Sequence, residues 1–215
     1  MQRIALIGSR DLAGRLIHYI EMSGCAAIAG LFDDFEQRGA TKLGKPVLGS
    51  LAAIPEIYGE GRFDAVLVAI GYRHMTMRGK VYEDLRAAGI PRATFIHPHA
   101  TIDPTAHIGS GSIVLAECRI DMHARLEENV LLSTRCLISH DVTIASHTFC
   151  GPAVVLAGRT AVGESCFLGV GTIAIEDITI GAGAQSAAGA VIISDVPAGA
   201  LVAGVPAVVK RAVRS

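Results

Sequence analysis

His140 and Asp141 are the neighbouring residues in this sequence that are best suited to acid-base chemistry. An imidazole exchanges its proton near neutral pH, so a histidine can take the proton from an attacking amine. An adjacent carboxylate can fix the tautomer of the ring and stabilise the imidazolium that forms. The alternative is an ordinary surface histidine beside a carboxylate that pairs with Arg159 or His123 instead.

A six-residue repeat surrounds this pair. Stepping by six from Ile102 to Ile192 gives sixteen positions, of which thirteen are Ile, Leu or Val. A second, smaller set of residues lies two positions earlier in each repeat, and residues two apart share one face of a strand. A period of six fits neither a 3.6-residue helix nor a series of hairpins. It is typical of a parallel β-helix with three short faces and about 18 residues per coil, and the repeat predicts about five coils.

This repeat also predicts where the pair lies. His140 comes two residues after the inward-facing Ile138, which places it near an outer corner of a coil. With about 18 residues per coil, Gly158 is its stacked neighbour on the next coil. Glycine has no side chain, so we expect open volume beside the imidazole.

The N-terminal third has a different pattern. Strand-like runs at Arg3–Ile7, Ala27–Phe32 and Asp64–Ile70 are separated by helical segments near Asp11–Ser23 and His74–Ala88. This alternation predicts a βαβαβ unit with a parallel sheet.

Three segments follow from these patterns. Pro98 coincides with the onset of the six-residue phase, and Asp195 and the residues after it leave that phase. We expect an α/β domain over residues 1–96, the β-helix over 97–193 and a C-terminal cap over 194–215. A cap covers the open sheet end that a solenoid would otherwise expose.

Composition excludes several classes of partner. The formal net charge is −1, which gives no basic field for nucleic acid, and no apolar run approaches the roughly 18 residues of a membrane helix. The N-terminus lacks the pattern of a signal peptide and the five cysteines form no CxxC pair, so we expect a cytoplasmic protein with reduced, buried thiols. The histidines form no compelling zinc set, and no metal is expected.

Several motifs of this sequence resemble those of the bacterial nucleotide-sugar N-acetyltransferases. That family includes PglD-type enzymes for UDP-4-amino sugars, GDP-perosamine N-acetyltransferases and the related NeuD-type sialic acid O-acetyltransferases. The resemblance implies that the coils wind left-handed, against the usual crossover rule, and that the first domain is Rossmann-like. The motifs span the β-helix and its cap: Leu132-Ser133-Thr134, Ile138-Ser139-His140-Asp141, Gly151-Pro152-Ala153, Leu156-Ala157-Gly158, Cys166 to Gly171 and Gly204-Val205-Pro206-Ala207.

The resemblance implies roles for the residues of the β-helix. His140 is the expected general base, and Asp141 orients it. Acetyl-CoA is expected in a groove between neighbouring subunits of a homotrimer, where it would contact Gly158, Val170 and Ala188.

Two positions depart from the family's pattern. Many members have a second histidine nine residues after the base, near the acetyl group, and here that position is Phe149. We still expect Phe149 to contact the cofactor, while backbone N–H groups polarise the acetyl oxygen. Ser133 replaces an asparagine that some members place near the acceptor amine, and its hydroxyl can hydrogen-bond there.

The resemblance also implies a nucleotide-sugar site in the first domain. The turn after the first strand begins at Gly8 and includes Arg10, which would add charge beside a helix N-terminus that attracts phosphate. Asp33 and Asp34 follow the second strand and would accept hydrogen bonds from base or ribose, although helix capping is the alternative for such aspartates. Gly71 follows the third strand and would line the same pocket.

The expected reaction is therefore acetyl transfer from acetyl-CoA to the amine of a nucleotide-linked amino sugar, of the 4-amino-4,6-dideoxyhexose type. The four cysteines of the repeat occupy inward positions, which favours direct transfer over a cysteine acyl-enzyme. Two alternatives stay open. One is O-acetylation of sialic acid or another sugar, and the other is a non-catalytic β-helix scaffold or sugar-nucleotide sensor.

Overall fold

The computed structural model describes residues 1–213. The chain forms two compact units, Met1–Thr94 and a second unit that begins at Phe95. Arg214 and Ser215, the end of the expected cap, lie outside the described residues.

The first unit is an α/β domain around a mainly parallel five-stranded sheet. Strand β1 pairs in parallel with β2 and β5, β2 pairs in parallel with β4, and β3 and β4 form an antiparallel hairpin, which gives the order β3-β4-β2-β1-β5. The elements are β1 (Arg3–Ile7), α1 (Asp11–Ser23), β2 (Ala27–Phe32), β3 (Thr41–Lys42), β4 (Lys45–Gly49), a 3₁₀ turn (Leu51–Ala53), α2 (Ile54–Gly59), β5 (Ala65–Val68), a 3₁₀ turn (Tyr72–His74) and α3 (Met75–Ala87).

Helix α1 shows why the local sequence folds as it does. Leu12, Leu16 and Ile20 recur at helical spacing and are buried against the sheet side of the domain. The helix ends at Gly24, whose φ of 61° is left-handed and whose N–H donates to the Ile20 carbonyl at 3.0 Å. A left-handed residue with this bond is a common helix stop, and it is easiest for glycine.

The second unit is a parallel β-helix, as the six-residue repeat predicts. Its two-residue strands pair in parallel with the strand 18 residues away, for example Leu137 with Val155 and Leu131 with Phe149. Ile138 and the other inward apolar residues form one hydrophobic core along the coils.

Three sheets make the faces of this helix. Sheet I contains Thr101–Ile102, Arg119–Ile120, Leu137–Ile138, Val155–Leu156, Ile173–Ala174 and Val191–Ile192. Sheet II contains His107–Ile108, Arg125–Leu126, Thr143–Ile144, Ala161–Val162 and Thr179–Ile180. Sheet III contains Phe95–Ile96, Ile113–Val114, Leu131–Leu132, Phe149–Cys150, Phe167–Leu168, Gln185–Ser186, Ala200–Ala203 and Val208–Ala212, the last of these antiparallel to its neighbour.

The corners between sheets repeat a fixed backbone geometry. Corner A joins sheet I to sheet II and includes residues 139–141, whereas corner B joins sheet III to sheet I and includes residues 133–135. The third residue of most corners has a positive φ, for example 64° at Arg135 and 58° at Asp141. Its N–H bonds to the previous coil, so that Asp141 N–H donates to the Met122 carbonyl at 3.0 Å. These bonds hold non-glycine residues in a conformation they otherwise disfavour.

Within residues 1–213, no helix has both the length and the apolar character needed to span a bilayer.

Candidate active site

His140 and Asp141 form a hydrogen-bonded pair at corner A. The His140 Nδ1 atom lies 2.9 Å from the Asp141 Oδ2 atom, and both side chains are about half exposed. An ionised carboxylate can only accept a hydrogen bond, so Nδ1 carries the hydrogen and Nε2 is left as an acceptor. This arrangement allows Nε2 to take a proton from a group in solvent.

Gly158 lies directly under the imidazole of His140. A Cβ atom at this position would come within 2.5 Å of Cε1 and 2.6 Å of Nε2 of the ring. The expected open volume beside the imidazole is therefore filled by the imidazole itself. Gly158 is buried beneath the ring and supports it.

Arg159, the next residue, makes its ion pairs on the far side from Asp141. Its guanidinium bonds to Asp177 through two contacts of 2.6 and 2.7 Å and to Glu176 at 2.9 Å. The hydrogen bond from Arg159 holds the pKa of Asp177 below its ordinary value. Asp141 is thus paired with His140, and not with Arg159 or His123, the alternatives that the sequence left open.

Three of the residues expected to contact acetyl-CoA or the acceptor amine lie at corner B. Val170 and Ala188 are exposed there, and Ser133 is buried at 7% exposure. Corners A and B are the two edges of sheet I, and one face of six residues spans up to about 20 Å. Within a single chain, Val170, Ala188 and Ser133 therefore lie at the other edge of sheet I from His140.

Phe149, where the sequence predicts a cofactor contact, is largely buried in the single chain. Its side chain, on the outer face of sheet III, is 6% exposed. The reason is packing, because its ring lies 4.9 Å from the ring of Phe167. Little of the Phe149 side chain is therefore accessible to a cofactor in the single chain.

The first unit gathers its candidate residues at one sheet edge. Gly8 follows β1, Asp33 follows β2, and Gly71 follows β5. Because β1 lies between β2 and β5, the strand order reverses at β1. Parallel α/β sheets usually bind their ligand in the crevice at the carboxyl ends of the strands where this reversal occurs. Gly8 has a φ of 100°, and its N–H donates to the Phe32 carbonyl at 2.8 Å.

The two aspartates after β2 have different environments. Asp33 is 7% exposed and accepts hydrogen bonds from the Ser9 hydroxyl at 2.7 Å and from the Phe35 N–H at 3.0 Å. Asp34 accepts the Leu51 N–H at 2.8 Å, so the capping alternative describes its contact in this structure. Sequence reasoning missed Ser9, whose role is visible only once β1 and β2 are paired.

A cavity opens at the start of α3, close in sequence to Gly71. Its volume is about 380 Å³, and three basic side chains contribute to its lining. Arg10 is exposed at the start of α1, where it makes no side-chain capping bond to the helix. The residues that line the cavity are Arg73, His74, Met75, Thr76, Met77 and Lys80.

Among residues 1–213, no group of three or more His, Cys, Asp or Glu side chains is arranged to hold a metal ion.

A coiled six-residue repeat with a histidine-carboxylate pair at an exposed corner defines the class of hexapeptide-repeat acyltransferases.

Solved structures refine this class. PerB from Caulobacter crescentus, solved with CoA and GDP-perosamine, is 32% identical over 98% of each chain, with a TM-score of 0.88. A histidine-to-alanine variant of GDP-perosamine N-acetyltransferase from the same organism gives a TM-score of 0.90 at 31% identity, again over 98% of each chain. The acetyltransferase domain of PglB from Neisseria gonorrhoeae, solved with acetyl coenzyme A, is 28% identical over 97% of this chain and 99% of that chain, with a TM-score of 0.87.

No protein-family model matches the chain, and a search of curated proteins returned no match either. The likeness to PerB extends over 98% of the chain, and so into both units, at 32% identity overall. The chain belongs to the family of hexapeptide-repeat sugar N-acetyltransferases.

Proposed function

We propose that this protein transfers the acetyl group of acetyl-CoA to the amine of a nucleotide-linked amino sugar of the 4-amino-4,6-dideoxyhexose type. The observation that carries the proposal is the His140–Asp141 pair, exposed at a corner of a β-helix, in a chain 32% identical to an enzyme solved with CoA and GDP-perosamine. His140, the proposed general base, is hydrogen-bonded to Asp141, the carboxylate proposed to orient it.

In the proposed direct transfer, the base is His140, whose side chain is 43% exposed. The amine nitrogen attacks the thioester carbonyl carbon while Nε2 takes a proton from that nitrogen, and Asp141 stabilises the imidazolium. The carbon–sulfur bond then breaks, and the proton on the ring returns to the leaving thiolate. Cys118, Cys136 and the other inward cysteines are buried and are not nucleophiles in this scheme.

Acetyl-CoA is proposed to lie in a groove between copies of the chain. Gly158 supports the base on one side, and Val170 and Ala188 contact the cofactor from corner B on the other. Ser133 then faces the acceptor amine. The family membership supports this arrangement. It also supports the proposal that the coils of the second unit are left-handed and that the first unit is Rossmann-like.

The outer face of sheet I supports assembly into a homotrimer. Leu137 and Ile173 point outward from this face with 37% and 40% exposure. The outer face of sheet II carries polar residues instead, for example Arg125 and Thr143. Packing of sheet I against a neighbouring copy would bury its apolar stripe and bring corner A of one chain to corner B of the next.

The first unit is proposed to bind the nucleotide part of the acceptor. Gly8 and Gly71 leave room for the backbone to approach the ligand, and Asp33 offers a buried carboxylate to ribose or base. Arg10 and the basic cavity at the start of α3 supply positive charge for the diphosphate. Asp34 shapes the crevice through its bond to Leu51.

The function is tested by thiol release from acetyl-CoA with a panel of GDP-, UDP- and dTDP-linked 4-amino sugars. We expect turnover with at least one of them, and we expect His140→Ala to lower kcat/KM by about 10² to 10⁴, the usual contribution of a general base. His107→Ala, which removes an exposed histidine from sheet II, is the matched control.

Three results would contradict this proposal. Turnover of free sialic acid without a nucleotide sugar would favour the O-acetyltransferase alternative. Calorimetry that shows no binding of acetyl-CoA would favour the scaffold. A His140→Ala variant with more than half of the wild-type kcat/KM would remove the base assignment.

Assembly is tested by mixing two inactive variants. His140→Ala loses the base, and Ala188→Trp blocks the cofactor side of the groove. In trimers formed at random from both, about one quarter of the grooves combine an intact corner A with an intact corner B, so about a quarter of wild-type activity returns. If each site lay within one chain, mixing would restore nothing.

A further inference from the structure

Corner A carries a column of charged residues that passes directly beside the base. His123, Asp141, Arg159 and Asp177 occupy the third position of this corner on successive coils, and each has a φ between 57° and 60°. In-register strands place such neighbours about 4.8 Å apart. Arg159 is therefore one coil from Asp141 on one side and one coil from Asp177 on the other.

The guanidinium of Arg159 is turned away from Asp141. Asp177 accepts the Nε and Nη2 hydrogens in a bidentate pair at 2.6 and 2.7 Å, and Glu176 accepts a further bond from Nη2 at 2.9 Å. Planar bidentate pairing of this kind is among the stronger exposed ion pairs. Asp177 and Glu176, on the coil after Arg159, thus compete with Asp141, on the coil before it. The guanidinium bonds to Asp177 and Glu176.

We propose that Asp177 and Glu176 are positioning residues for the base, because they keep the Arg159 guanidinium off Asp141 and so leave that carboxylate on the Nδ1 hydrogen of His140. Without them, Asp141 is the remaining carboxylate next to Arg159 in this column. A guanidinium offers two parallel donors where the imidazole offers one, so Arg159 would draw Asp141 away from the ring. The catalytic consequence rests on the proposed function, whereas the structural one does not.

The structural consequence is the tautomer of His140, which can be read without any substrate. In the wild type, Asp141 accepts from Nδ1, so the neutral ring carries its hydrogen there. In Glu176→Gln/Asp177→Asn, Arg159 re-pairs with Asp141 and the Nδ1–H share falls toward the value in Asp141→Asn. Ring ¹⁵N chemical shifts measure this share in mildly alkaline buffer, with the His140 signals assigned by their loss in His140→Gln.

A triple variant separates this mechanism from a general disturbance of the corner. Adding Arg159→Gln removes the competitor, so we expect the wild-type tautomer to return even though both carboxylates are still missing. Asp177→Glu, which keeps a bidentate acceptor, should also keep the wild-type tautomer.

Kinetics supply the second readout. We expect the double variant to lose kcat on the order of tenfold with an unchanged KM for acetyl-CoA, because the base is misdirected while the groove is intact. Arg159→Gln should restore kcat in the triple variant.

The proposal is overturned if the double variant keeps the wild-type tautomer, or if the triple variant resembles the double one. A tautomer shift with rescue supports it even if no acceptor is ever acetylated. In that case the proposed function fails and the positioning of the imidazole stands.

Discussion

Replacing Gly158 by alanine should misplace the base without unfolding the protein. The new Cβ would lie 2.5 Å from Cε1 and 2.6 Å from Nε2 of His140, whereas an ordinary contact is 3.4–4 Å. The ring is 43% exposed and is free to swing toward solvent, so it and not the coil backbone gives way. Gly158 has no positive φ, so the backbone conformation does not itself disfavour alanine at this position.

The expected loss follows from the size of the shift. Relief of the contact moves the imidazole by about 1 Å, which is the scale at which misplacement of a reacting group costs about 10² in rate. The same shift stretches the 2.9 Å bond to Asp141 beyond hydrogen-bonding distance. A 10²-fold loss of kcat/KM corresponds to about 2.7 kcal/mol of transition-state stabilisation.

The assay is thiol release by Gly158→Ala, with melting temperature as the check on folding. Gly59→Ala is the control, since that glycine also has no positive φ and a Cβ there meets nothing within 4 Å. In a His140→Ala background, Gly158→Ala should add no further loss, because it acts through the ring. A single variant that keeps more than a third of wild-type kcat/KM would refute this reasoning. A raised KM for acetyl-CoA at unchanged kcat would assign Gly158 to cofactor binding alone.

Three further outcomes are expected. Asp33→Asn should weaken binding of the matching nucleoside diphosphate by about tenfold in calorimetry, since a charged acceptor becomes neutral. The Arg3 side chain donates a hydrogen bond to Asp64 and lowers the pKa of that carboxyl. The stabilising effect of the pair is therefore present above the ordinary carboxyl pKa and is lost as the pH falls through the lowered value. Asp64→Asn should have a lower melting temperature than the wild type at neutral pH and the same melting temperature in acid. Only the exposed Cys25 should react with a thiol reagent before denaturation, because the other four cysteines are buried, and burial raises the pKa of Cys166 to about 11.

The β-helix was predictable because the six-residue pattern specifies which residues face the core of each coil. Residues that recur without a slip from Ile102 to Ile192 must share an interior, and the observed pairing at 18 residues follows from three such faces. The N-terminal unit was predictable only where strands and helices are strongly apolar. The hairpin Thr41–Gly49 and the short helix Ile54–Gly59 were missed, since a strand with Lys45 and Pro46 carries little periodic signal.

Side-chain directions explain what the sequence could not predict about the site. The repeat correctly predicted Gly158 and Arg159 as stacked neighbours of the pair. It gives only the stacking of the backbone positions, however, and not the χ angles that decide where each side chain points. Arg159 could turn to either adjacent coil, and the choice depends on Asp177 and Glu176 together. Phe149 occupies an outward position by count, yet it is buried, which depends on packing outside the repeat rule.

The stacking of the coils also determines which substitutions affect the position of His140. The backbone of each corner is held by bonds to the coil before it, for example from Arg159 N–H to the His140 carbonyl at 3.0 Å. The position of the imidazole is then set by three coils at once: its own coil supplies Asp141, the next supplies Gly158, and the one after holds Arg159 away. Substitutions at Gly158 or Glu176, which lie 18 and 36 residues from His140, are therefore expected to move the imidazole.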